Sequence, residues 1–136
     1  MLDKNMESMI VETLNEDVSP VLIYLFGSTA KGITHQDSDI DVAFLSSEEK
    51  IDQYELFLLA QKLAAKLNRD VDLIDLGQAS TVFKAQIVST GKAIYCADEQ
   101  KKAYWELHTL KMYAKLNEER SPILKNIGES GSVYEK

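Results

Sequence analysis

A chain of 136 residues that is 45% hydrophobic and 27% charged has the size and composition of one globular domain. Its formal net charge of −7 argues against a general binder of nucleic-acid backbone, which needs a basic face. Cys96 is the single cysteine, which excludes a disulfide framework and a cysteine-based zinc site. No apolar run is long enough to span a membrane, and the opening MLDKNMES lacks a signal-peptide core, so a cytoplasmic protein without membrane contact is expected.

Residues 2–17 space Leu2, Met6, Met9, Ile10, Thr13 and Leu14 along one side of a helix, and Pro20 ends the connection that follows. Residues 21–26 (VLIYLF) and 39–45 (DIDVAFL) predict the first two strands, being rich in β-branched, aromatic and aliphatic side chains. Between them Gly27 and Ser28 turn the chain into a short helix that stops near Gly32, followed by a polar loop over 33–38. Ser46 and Ser47 precede two glutamates and suit a helix start. The stripe Leu56, Leu59, Leu63 and Leu67 predicts a helix over 51–67, closed by Asn68. A third strand is expected at 71–76 (VDLIDL), a short helix at 79–89 capped by Gly91, and a fourth strand at 93–96 (AIYC).

Asp98 caps a further helix, expected to run to Glu119 with Ala103, Leu107, Leu110 and Ala114 along one side. The Gly, Ser and Glu content after Pro122 predicts a flexible tail over 120–136. The expected architecture is α/β (α+β): one domain over 1–119, with a small mixed sheet covered by helices mainly on one face and the C-terminal helix added.

The chemistry lies in the carboxylates. Period two puts Asp39 and Asp41 on one face of their strand, with Ile40 and Val42 on the other. Asp72 has the same setting between Val71 and Leu73. Asp75, three residues on, must face the other way and suits a strand-end or turn carboxylate. If the second and third strands are neighbours, Asp72 joins the pair. Two such charges at about 4 Å repel by roughly 4 kcal/mol at an effective dielectric of about 20. Divalent cations would remove that repulsion, and all-oxygen ligands favour magnesium or manganese. Gly27 admits a ligand close to the backbone, the helix start offers N–H groups to phosphate, Ser28 adds a hydroxyl, and Lys31 adds a positive charge. Together these describe a nucleoside triphosphate held as its metal complex.

The run FGSTAKG…SDIDVAF, with Asp72 on a later strand, resembles the nucleotidyltransferase superfamily of DNA polymerase β type. Its brevity is similar to that of the minimal nucleotidyltransferases that serve as antitoxins beside HEPN-domain toxins. The resemblance covers about residues 20–96. It implies a nucleotidyltransferase fold in which Gly27 and Ser28 hold the triphosphate of ATP, Asp39 and Asp41 ligate magnesium, and Asp72 is the third acid. It also implies a protein adenylyltransferase that moves AMP from ATP to a tyrosine hydroxyl of a HEPN toxin, blocks its RNase activity, and forms a hetero-oligomeric complex with it. Thr29 and Lys31 stand where many members carry arginine. The length leaves no room for a second domain to hold an antibiotic or a primer, which points away from the aminoglycoside and polymerase branches.

Two other functions fit less well: an antitoxin that only covers its toxin, and a nucleotidyltransferase acting on a small molecule. Three costly acids kept together favour the enzyme over a pure binder. Asp37, Asp39, Asp41 and Glu48 mimic positions one, three, five and twelve of a calcium loop, but Val42 stands where that loop needs glycine. His35 is expected to be a solvated loop residue, His108 structural, and Cys96 a small buried hydrophobe. Tyr104, Trp105 and Tyr113 suit either a partner surface or the core, and Lys101, Lys102, Lys111 and Lys115 suit a solvated helix side.

Overall fold

A computed structural model of the chain describes residues 4–31, 39–47 and 51–129, with side chains as far as residue 119. His35, Asp37, Glu48 and the end of the tail lie outside the described residues. The elements follow in the expected order: α1 (Lys4–Asp17), β1 (Pro20–Leu25), α2 (Gly27–Lys31), β2 (Ile40–Ser46), α3 (Gln53–Leu67), β3 (Val71–Asp75), a 3-10 turn (Leu76–Gln78), α4 (Thr81–Thr90), β4 (Lys92–Cys96) and α5 (Glu99–Glu129). The backbone of α5 thus continues beyond the expected end at Glu119. Pro122 withholds one N–H donor, but its fixed φ is itself helical, so the helix need not stop there.

The sheet runs β3-β2-β1-β4. β1 is antiparallel to both β2 and β4, whereas β2 and β3 are parallel. Every residue of β1 is buried, and the two sides of the strand enter different cores. Ile23 and Leu25 pack with Ile40, Val42 and Phe44 against Ile10 and Leu14 of α1 and Leu59, Leu63 and Leu67 of α3. Leu22 and Tyr24 pack with Ala43 against Ile87 and Phe83 of α4 and Trp105 of α5. The sheet is therefore covered on both faces, not mainly on one. The run PVLIYL is apolar at every position, and such a strand must be buried on both sides.

The capping of α3 also differs from expectation. Asp52 accepts the Glu55 N–H at 2.8 Å, and the Glu55 side chain accepts the Asp52 N–H in return. Ser46 and Ser47 are engaged elsewhere, their hydroxyls donating to the Val18 and Ser19 carbonyls at 2.7 and 3.0 Å. Asn68 closes α3 in the left-handed conformation, and Asp98 caps α5 by accepting the Gln100 and Lys101 N–H groups.

A part-buried polar contact ties α5 to the sheet. The Tyr24 hydroxyl donates to Glu106 Oε2 at 2.6 Å, and Lys102 pairs with the same carboxylate at 3.4 Å. Burial and then the Glu106 charge push the Tyr24 phenol far above its ordinary range. Lys102 is thus half-buried and paired within α5, while Trp105 is half-buried in the core and Tyr104 lies exposed. His108 is exposed too, its ring stacked on Tyr104 with centroids 6.1 Å apart. Cys96 packs half-buried on the second core, and burial raises its thiol. Among the described residues no helix is long and apolar enough to cross a membrane.

Candidate active site

β1 hands the chain to α2 beside the start of β2. The Phe26 N–H still donates to the Asp41 carbonyl at 3.1 Å, as the next rung of the β1–β2 ladder. Gly27 then takes a φ of +60° and α2 begins. That conformation costs a residue with a side chain about 1–2 kcal/mol. A second reason for glycine is internal: a Cβ built there would stand 2.6 Å from Asp41 Oδ2. Gly27 therefore makes room for the carboxylate of β2 before it makes room for any ligand. Gly27→Ala is expected to destabilise the chain by at least about 1–2 kcal/mol, seen as a lower urea midpoint at unchanged slope. A wild-type midpoint would mean that the turn relaxes freely.

Thr29, the middle residue of α2, is buried. Its Oγ1 accepts the Asp41 N–H at 3.0 Å and donates to the Asp39 carbonyl at 3.4 Å. The carboxylate-bearing segment is thus fastened by its backbone to the glycine–serine turn. Asp39 itself is exposed just ahead of β2, and Asp41 is half-buried within it. Ser28 and Lys31 are exposed on α2.

The parallel pairing of β2 with β3 sets Asp41 directly beside Asp72. Neighbours in register share a face, so both carboxylates stand on the side of Ala43 and Ile74, away from Val42 and Leu73. Burial raises the Asp41 carboxyl above the ordinary carboxylate range, and Asp72 and then Asp39 push it further the same way. Asp72 is exposed. Asp75 is buried on the opposite face, where it accepts the Gly77 N–H at 2.9 Å and the Gln78 side-chain amide at 2.7 Å. It is a turn-capping carboxylate.

Among the described residues, no three His, Cys, Asp or Glu side chains are already gathered as a cation cage. The carboxylates at the start of β2 and β3 nevertheless suit a hard divalent ion, since Asp72 and Asp39 both crowd Asp41 with negative charge and all donors are oxygen. The remaining ligands would come from phosphate and water. Thr29 is the residue that sequence reasoning missed. In the sequence it stands out only as a position where many members of the resembled family carry arginine. The available signal was a hydroxyl residue two after Gly27, in a helix too short to gain stability from its own turns.

Residues 8–100 match the family described as Polymerase beta, Nucleotidyltransferase. The chain is 39% identical over 122 residues to Protein adenylyltransferase MntA of Shewanella oneidensis, covering 89% of this chain and 86% of the relative. A crystal structure of a toxin–antitoxin with AMP-PNP superposes with a TM-score of 0.80 at 39% identity, over 89% of this chain and 97% of that one. A tri-AMPylated Shewanella oneidensis HEPN toxin in complex with MNT antitoxin matches with a TM-score of 0.78 at 35% identity, over 93% and 98%. The glycine–serine turn, the paired acids of β2 and β3 and the overall likeness converge: this chain belongs to the polymerase β type nucleotidyltransferase family.

Proposed function

We propose that this chain transfers AMP from ATP to a tyrosine hydroxyl of a HEPN-domain toxin, with magnesium, and so acts as the antitoxin in a complex with that toxin. The observation that carries this is the direct cross-strand pairing of Asp41 with Asp72 beside the Gly27 turn. The adenylyltransferase name of the relative and the AMPylated toxin bound to the similar antitoxin support the acceptor and the partner.

Asp39, Asp41 and Asp72 would hold magnesium or manganese. When bound, the ion would offset the crowded negative charge of carboxylates and phosphates and so favour in-line displacement at phosphorus. The Gly27–Ser28 turn donates N–H and hydroxyl hydrogen bonds to the triphosphate, and Lys31 adds charge from the end of α2. A phenol has an ordinary pKa near 10, so its proton must be accepted as the oxygen attacks. Asp72 accepts it. The phenolic oxygen bonds to the α-phosphorus, the bond to the bridging oxygen breaks, and diphosphate leaves with the electron pair.

Ser28 is exposed, so Ser28→Ala is expected to leave the fold alone. One lost hydrogen bond to a charged group is expected to weaken ATP by about 1.5 kcal/mol, roughly tenfold in Kd by calorimetric titration. Unchanged affinity would remove Ser28 from the site. The function itself is tested by intact-mass spectrometry of a HEPN toxin incubated with this chain, ATP and magnesium. Addition of one or more AMP units supports the enzyme. A toxin silenced at unchanged mass would establish an antitoxin that acts by covering.

A further inference from the structure

We propose that Thr29 is a positioning residue for nucleotidyl transfer, its hydroxyl holding the Asp39–Asp41 segment at a set distance from the glycine–serine turn. The inference rests on the function proposed above. In an antiparallel ladder a hydrogen-bonded pair exchanges two N–H···O bonds. Phe26 and Asp41 are such a pair, but only half of it is present. The Phe26 N–H donates to the Asp41 carbonyl at 3.1 Å, whereas the Phe26 carbonyl accepts the Ala30 N–H at 3.2 Å, because the chain has turned into α2.

The Asp41 N–H would then lack its strand acceptor. Thr29 Oγ1 takes that place at 3.0 Å, and its own proton goes to the Asp39 carbonyl at 3.4 Å. One buried hydroxyl therefore grips the backbone of both acids at once. Its helix begins with the residues assigned to the triphosphate. Phosphate-holding and carboxylate-bearing parts are locked together through this side chain, and a small slip between them would misalign the reacting atoms.

Thr29→Val keeps the shape and removes both hydrogen bonds, and Thr29→Ser restores the hydroxyl. Assayed with toxin, ATP and magnesium and compared with the wild-type chain, Thr29→Val is expected to lower kcat on the order of a hundredfold. The KM for ATP is expected to stay within about threefold, because the turn itself is intact. Hydrogen exchange at the Asp41 amide should quicken in Thr29→Val, and Thr29→Ser should recover both rate and protection. A purely structural threonine would lower the melting temperature without separating kcat from KM well below it. Should Thr29→Val not fold, Thr29→Ala set against Thr29→Ser makes the same comparison. Wild-type kcat in the hydroxyl-free variant, or a serine variant as slow as the valine one, overturns the proposal. A wild-type chain that transfers no AMP brings down the proposed function instead, and this inference with it.

Discussion

Asp41→Asn is expected to abolish AMP transfer while leaving the metal-free protein as stable as the wild type, or more so. The loss in rate should be about a thousandfold or more, the scale of removing one electrostatic stabiliser of a transition state. The stability follows from crowding. Asp41 is half-buried beside Asp72 and near Asp39, and burial and both neighbours raise its carboxyl. The folded chain therefore binds this proton more readily than the unfolded one. The contribution of Asp41 to stability is fully present below the ordinary carboxylate value of about 4. It is lost as pH rises through the raised folded value.

At neutral pH the ionised group is thus a burden that asparagine, equal in shape, removes. Melting in EDTA across the acidic range should show a decline with pH in the wild type that the variant lacks. Divalent cation should raise the melting temperature of the wild type and do little for the variant. A large loss of metal-free stability in Asp41→Asn would instead make the carboxylate a structural group.

Asp72→Asn separates binding from chemistry. Asp72 is exposed, and the turn-capping work at the end of β3 belongs to Asp75, so the fold should be unaffected. ATP should still bind through Gly27, Ser28, Asp39 and Asp41. AMP transfer should fall by about 10²- to 10⁴-fold, the range for losing a positioned proton acceptor. The change also removes the neighbouring charge with the greater effect on Asp41, whose carboxyl should move down toward its ordinary range. Calorimetric titration of ATP with magnesium and intact-mass spectrometry of the toxin together check this. Full transfer by Asp72→Asn would remove the residue from the chemistry.

The order of the elements and the face that Asp41 takes within β2 were legible in the sequence because both are local. A run such as VLIYLF buries itself as a strand wherever it goes, and alternation decides which side each acid takes. The glycine turn of Gly27 and Ser28, with ten residues between it and Asp39, could be read as the end of β1 and the start of a short helix. Asn68 as the end of α3 and Asp98 as the start of α5 were equally plain, since caps act within one helical turn.

The tertiary structure alone decided who stands beside whom. That Asp72 rather than Asp75 meets Asp41 depends on the parallel register of β2 and β3, set by contacts across some thirty residues of chain. Covering both faces of the sheet required α4 and α5 to arrive from far along the sequence. The internal need for Gly27 came from the Asp41 carboxylate lying over it, and the grip of Thr29 on both acids from the point where β1 leaves the ladder. Composition and periodicity carry local preference, whereas hydrogen-bond partners and close packing are made between segments distant in sequence, so only the folded chain could assign them.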